Sequence, residues 1–126
     1  MVNLYKMNKL FILKISAILI IGVLSCEKKE VPVVETSAIT NITGNTAICG
    51  GTITDEGSGT VVERGICWST SNNPTIADNT TNEGGGAGTF MSNMDNLDAA
   101  STYYVVAYAK NEAGIGYGMT MSFKTK

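Results

Sequence analysis

From residue 35 onward the chain is built of short apolar runs, interrupted every few residues by Gly, Asn, Asp and Pro. The 3.6-residue repeat of an amphipathic helix is absent over any window long enough to matter. β-Branched and aromatic residues cluster between turn signals instead, which is the pattern of strands. Seven strands follow. The first covers residues 35–43 and stops at Gly44-Asn45. The second, 46–54, runs into the turn Asp55-Glu56-Gly57-Ser58-Gly59, and the third is 61–69. A weak fourth, 75–79, comes after Asn72-Asn73-Pro74, and the glycine tract 84–88 introduces a fifth, 89–94. The sixth, 102–111, is the strongest, reading Thr-Tyr-Tyr-Val-Val-Ala-Tyr-Ala; the seventh, 116–125, follows Glu112-Ala113-Gly114. So many short strands in about 90 residues predict an all-β, two-sheet sandwich.

A different pattern precedes them. Residues 15–24 form a short apolar run, with Lys6, Lys9 and Lys14 before it. The run is about half the roughly 20 residues a membrane-spanning helix needs. A basic start, a short apolar segment and a small residue before the cut make a secretory signal. Val23-Leu24-Ser25-Cys26 is aliphatic-x-small-Cys, and it resembles the signal of bacterial lipoproteins. That resemblance implies cleavage after Ser25 and acyl chains on Cys26, each buried CH₂ adding about 0.8 kcal/mol of membrane affinity. The expected organisation is a signal peptide at 1–25, a lipidated tether at 26–34 and a folded domain at 35–126. The expected location is the cell envelope, as an outer-membrane lipoprotein held through Cys26. Lys28-Lys29-Glu30 reads either as part of a signal for export to the cell surface or as a solvated spacer, and Val31-Pro32-Val33-Val34 as an extended link.

Charge and composition remove several functions. Three of the nine basic residues lie in the leader, so the mature chain is more acidic than the formal −2 of the whole. Beyond Lys28-Lys29 no basic stripe exists to neutralise phosphates, which argues against nucleic acid as a partner. The chain has no histidine, and so no Ser-His-Asp or Cys-His nucleophile and no histidine metal ligand. Cys49 and Cys67 lack the Cys-x-x-Cys spacing of a zinc site. Gly84-Gly85-Gly86-Ala87-Gly88 fits neither dinucleotide nor Walker patterns and precedes a strand, which makes it a flexible loop. Asp55-Glu56 and Asp95-Asn96 with Asp98 offer oxygen ligands, but without calcium-loop spacing, and turn chemistry accounts for them. The expectation is a binding or structural protein with no catalytic residues, metal or cofactor. A carboxylate pair for glycoside hydrolysis would need a cleft that so small a sandwich seldom has.

In the sixth strand the residues resemble a family. Leu97-Asp98-Ala99-Ala100-Ser101-Thr102-Tyr103-Tyr104, followed by Val105-Val106-Ala107-Tyr108-Ala109-Lys110-Asn111-Glu112-Ala113-Gly114, is similar to the fibronectin type III pattern. The segments 48–53, 64–70, 73–75 and 88–90 resemble the version of that module found in bacterial surface lipoproteins. Ala99 departs from the proline, and Val106 from the arginine, that often stand at those places. The resemblance implies a seven-stranded fibronectin type III/immunoglobulin-like sandwich with Tyr103 as its tyrosine corner. It also implies that Cys49 and Cys67 lie on consecutive strands of opposite sheets, where an oxidising compartment permits a disulfide. Alternation speaks against that pairing: Cys49 faces inward with Ala47 and Ile53, whereas Ile66 and Trp68 claim the inward positions beside Cys67. Pairing and two separate thiols both stay open. Trp68, Tyr104, Tyr108 and Tyr117 read as core or cross-strand residues or, in the competing view, as a sugar-stacking platform. Met91, Met94, Met119 and Met121 are expected to fill the core. The functional expectation is a protein-interaction, adhesion or spacer module with an unknown protein or glycan partner. The competing expectation is a carbohydrate-binding accessory protein of glycan uptake.

Overall fold

The computed structural model describes residues 28–126; the expected signal peptide and Cys26 lie outside the described residues. Among the described residues all regular structure is β: β1 Val33–Thr36, β2 Ala47–Asp55, β3 Glu63–Ser69, β4 Asn79–Thr80, β5 Gly88–Met94, β6 Thr102–Asn111, β7 Gly114–Tyr117 and β8 Met121–Lys124. They form a three-stranded sheet, β1-β2-β5, and a five-stranded sheet, β4-β3-β6-β7, in which β8 also pairs with β6. β7 pairs with β6 at residues 108–111 and β8 pairs with it at 102–105. They are two halves of the seventh strand, broken where neither covers Ala107.

The break is filled by other parts of the chain. Gly118 N–H donates to the Ala107 carbonyl at 2.9 Å, and the Ala107 N–H donates to the Thr36 hydroxyl at 3.1 Å. A strand of one sheet thus completes the ladder of the other. The first strand correspondingly differs from expectation. Only Val33–Thr36 forms a ladder, and the stretch expected to continue to residue 43 retains a single bridge, Thr40 to Ile48. β1 begins inside the stretch read as a tether, and Pro32 is already buried against the domain. A Cβ at Gly116 would collide with the Pro32 carbonyl, so only glycine admits this approach of the N-terminal segment to β7.

The core lies between the sheets. Val34, Cys49, Ile53, Phe90 and Met94 face Ile66, Trp68, Tyr103, Val105 and Phe123 across it. The inward parity of Ile66 and Trp68 puts Cys67 on the outer face of the larger sheet. There it joins Val106, Tyr108 and Ile115 in a second, smaller cluster. Both cysteines are free thiols. The disulfide left open by the sequence is therefore not formed, because the two side chains leave the sheets toward different clusters. Two of the four methionines also depart from expectation: Met91 is 52% exposed, on the outward parity of β5, and Met119 is 78% exposed in the β7–β8 link.

Burial pushes both thiols up from 9.0 to about 11, because the thiolate is desolvated. An unfolded chain gives up these protons from about pH 9, while the native chain holds them to about 11. The native state thus binds more protons in that window, and stability should fall as pH rises through it. Urea midpoints measured across pH 8–11 check the sign; a midpoint that rises would contradict the buried placement. Native protein should also show no fast thiol toward an aromatic disulfide reagent beyond any from Cys26, and two more once unfolded.

Candidate binding site

The sandwich has two distinct poles. At the first, Glu30 is tied down. Its carbonyl accepts from Ser58 N–H at 3.0 Å and from the Asn111 amide at 2.9 Å, and its own N–H donates to the Ser58 hydroxyl. The Asn111 amide also donates to the Glu56 carbonyl at 2.8 Å, while its oxygen accepts from Ala113 and Gly114 N–H. Asp55 accepts from Gly57 N–H and Glu56 from Val61 N–H, so both carboxylates serve the β2–β3 turn. The glycine tract sits on the same half of the molecule. Positive φ at Gly84, Gly86 and Gly88 bends it over Arg64, whose guanidinium takes the Gly86 and Ala87 carbonyls and lies 5.5 Å from the Phe90 ring centre. The tract presents acceptors to a cation.

At the opposite pole end β3 and β5, and β6 begins. The β5–β6 link is pinned at both ends. Leu97 N–H donates to the Asn45 carbonyl at 2.9 Å, and Asp98 N–H donates to the Tyr103 hydroxyl at 2.8 Å. Tyr103 thus carries a corner bond, with its ring stacked on Phe123 at 5.9 Å. Asn96 adopts φ 57°, which asparagine tolerates better than most residues. Between this link, the end of β3 and β4 opens a cavity of about 320 Å³. Trp68, Leu97 and Tyr103 line it from the core side; Asn79, Thr81, Asn93, Asp95 and Asn96 supply its polar wall. Asn79 is held by donating to the Trp68 carbonyl at 3.4 Å.

The aromatic platform considered from the sequence is not formed. Trp68 faces the core, whereas Tyr104, Tyr108 and Tyr117 stand on the outer face of the larger sheet, and Tyr108 is fully buried. The Tyr108 hydroxyl lies 2.6 Å from the Thr81 carbonyl and 2.8 Å from Glu63 Oε1 and has one proton for the two. Burial, then the Glu63 carboxylate, hold that proton well above the ordinary phenol value. Among the described residues, no three Cys, Asp or Glu side chains converge as metal ligands do. What sequence reasoning missed is the cavity itself. Its asparagines and Asp95 read as turn residues, and only the inward parity of Trp68 hinted at an aromatic floor.

No family model and no curated protein matches this chain. Solved structures do. The sensor domain of the anti-sigma factor RsgI4 of Pseudobacteroides cellulosolvens is 15% identical at a TM-score of 0.56, covering 76% of this chain and 95% of that one. A fibronectin type III domain of human collagen XX is 17% identical at 0.57, covering 78% and 95%. The fibronectin type III domain of a human fibronectin type III domain-containing protein is 13% identical at 0.52, covering 79% and 91%. At such identities the likeness speaks for the fold alone, and with the two sheets and the tyrosine corner it makes residues 33–126 a β-sandwich of fibronectin type III fold.

Proposed function

We propose that this chain is an envelope lipoprotein, held to a membrane by acyl chains on Cys26, whose sandwich is a non-enzymatic recognition module. The observation that supports it is the clamp on Glu30. Glu30 is only four residues on from Cys26, and an extended chain spans about 3.3–3.6 Å per residue. On this reading the pole holding Glu30, Ser58 and Asn111 sits within about 15 Å of the lipid anchor. The opposite pole, with its cavity, faces away from the membrane. A stalk this short suits recognition at the membrane surface better than spacing. The partner is a protein or a glycan, and the outer membrane is the proposed site, with Lys28-Lys29 just above it.

Metabolic labelling with an alkyne-bearing fatty acid tests the anchor. The wild-type chain should take up label and sediment with membranes. Cys26→Ser should lose the label and accumulate as an uncleaved precursor. Equal labelling of both proteins would refute the anchor.

A further inference from the structure

We propose that the cavity at the pole opposite Glu30 binds a neutral sugar, one pyranose ring at a time, either free or within a glycan. The proposal rests on the reading of the sandwich as a recognition module and gives that module a ligand class. The volume of about 320 Å³ lies at the lower end of the roughly 300–1,000 Å³ of small-molecule sites, which suits a single ring better than an extended peptide.

The wall chemistry narrows the class. Asn79, Asn93 and Asn96 each bring an amide, which offers a donor and an acceptor on one rigid group, and Asp95 brings a pure acceptor. Sugar hydroxyls are themselves donor and acceptor together, so adjacent hydroxyls pair with such a set in either sense. Asn79 is held by the Trp68 carbonyl, but the other three groups are uncommitted. Among the described residues, the side chains of Asn93, Asp95 and Asn96 make no hydrogen bond or ion pair. The floor is apolar: Trp68, about nine-tenths buried, lines it together with Leu97 and Tyr103 and gives the C–H groups of a pyranose an edge to rest on. Among the described residues the indole N–H of Trp68 has no acceptor.

Charge excludes the neighbouring classes. Among the described residues no cation lines the cavity, and Asp95 stands in its wall, so phosphorylated and acidic sugars are disfavoured. Among the described residues a single carboxylate lines it, whereas glycoside hydrolysis ordinarily uses two, so the proposed site holds its ligand without cleaving it. The walls are set in advance by the Leu97–Asn45 and Asp98–Tyr103 bonds, which lowers the ordering cost of binding.

The test uses the mature protein in detergent micelles. A panel of immobilised neutral oligosaccharides is probed for retention, and free hexoses, pentoses and N-acetylhexosamines are examined by saturation-transfer NMR. At least one neutral sugar should bind, and Asp95→Ala and Asn93→Ala should each weaken it tenfold or more. Both residues are exposed, so the thermal midpoint should stay unchanged. Trp68→Phe, which keeps an aromatic in the core, should weaken binding while leaving the other variants' pattern intact. Competition by the monosaccharide at the concentration of its oligosaccharide would assign the ligand as a free sugar; a large advantage for the longer chain would assign a glycan. The idea is falsified if no neutral sugar binds, if binding ignores Asp95→Ala and Asn93→Ala, or if acidic sugars are preferred. A protein retained by the wild type and lost with Asp95→Ala, in the absence of any sugar binding, would overturn the sugar while leaving the recognition module standing.

Discussion

Replacing Tyr108 by alanine should lower the unfolding free energy by about 3–5 kcal/mol, the range for emptying a buried aromatic site. The residue is fully buried, yet not in the main core. It holds the second cluster together on the outer face of the larger sheet, with Cys67 and Val106 beside it, and its hydroxyl ties down the chain at Thr81. Removing the ring opens a cavity that the segment from Ile76 to Thr81 has no apolar side chain placed to refill, Ile76 being 45% exposed. Tyr108→Phe separates the two contributions. It keeps the ring and loses only the hydroxyl, so the loss should be about 1–3 kcal/mol, the size expected for one stranded buried acceptor. Urea unfolding followed by fluorescence of Trp68, the single tryptophan, measures both. A loss below about 1 kcal/mol for the alanine variant would mean that the outer cluster contributes no second core.

Asn111→Ala comes next, with an expected loss of about 2–4 kcal/mol, since each of its hydrogen bonds contributes on the order of 1 kcal/mol and their partners are left in a partly buried site. This side chain is 2% exposed and joins three stretches: the Glu30 carbonyl, the Glu56 carbonyl and the turn N–H groups of Ala113 and Gly114. Asn111→Asp discriminates between them. It keeps the acceptor for the turn but sets a carboxylate against two carbonyls. Amide exchange should therefore quicken around Glu30 and Ser58 in the aspartate variant while β7 stays protected. Uniform loss of protection in both variants would show that Asn111 supports the domain as a whole without serving as the local clasp.

Much of the sandwich is legible in the chain because its inner strands obey simple alternation. β2, β3, β5 and β6 lie within a residue or two of where the pattern places them, and the parity of Ile66 and Trp68 correctly separates Cys67 from Cys49. The misses share one cause. The shortened first strand, the break at Gly118 and the clamp on Glu30 are all set by partners remote in sequence: Thr36 reaching Ala107, Pro32 reaching Gly116, Asn111 reaching Glu30. No local period encodes such contacts. The cavity is hidden for the same reason. Its wall is assembled from Trp68, Asn79 and the 93–97 stretch, each of which is locally an ordinary strand end or turn.

The clamp on Glu30 has a mechanical side. If the anchor pulls one pole toward the membrane while a ligand pulls the other outward, tension enters the domain along β1. That strand runs antiparallel to β2, in register from Val34 against Ile53 to Thr36 against Gly51. Load directed along the strand axis strains those ladder bonds together in shear, where they yield only as a group. The Thr36 hydroxyl on Ala107 and the Asn111 clasp share the same load path. An N-terminus that left the sheet sideways would unzip one bond at a time. This one is fastened like a lap joint.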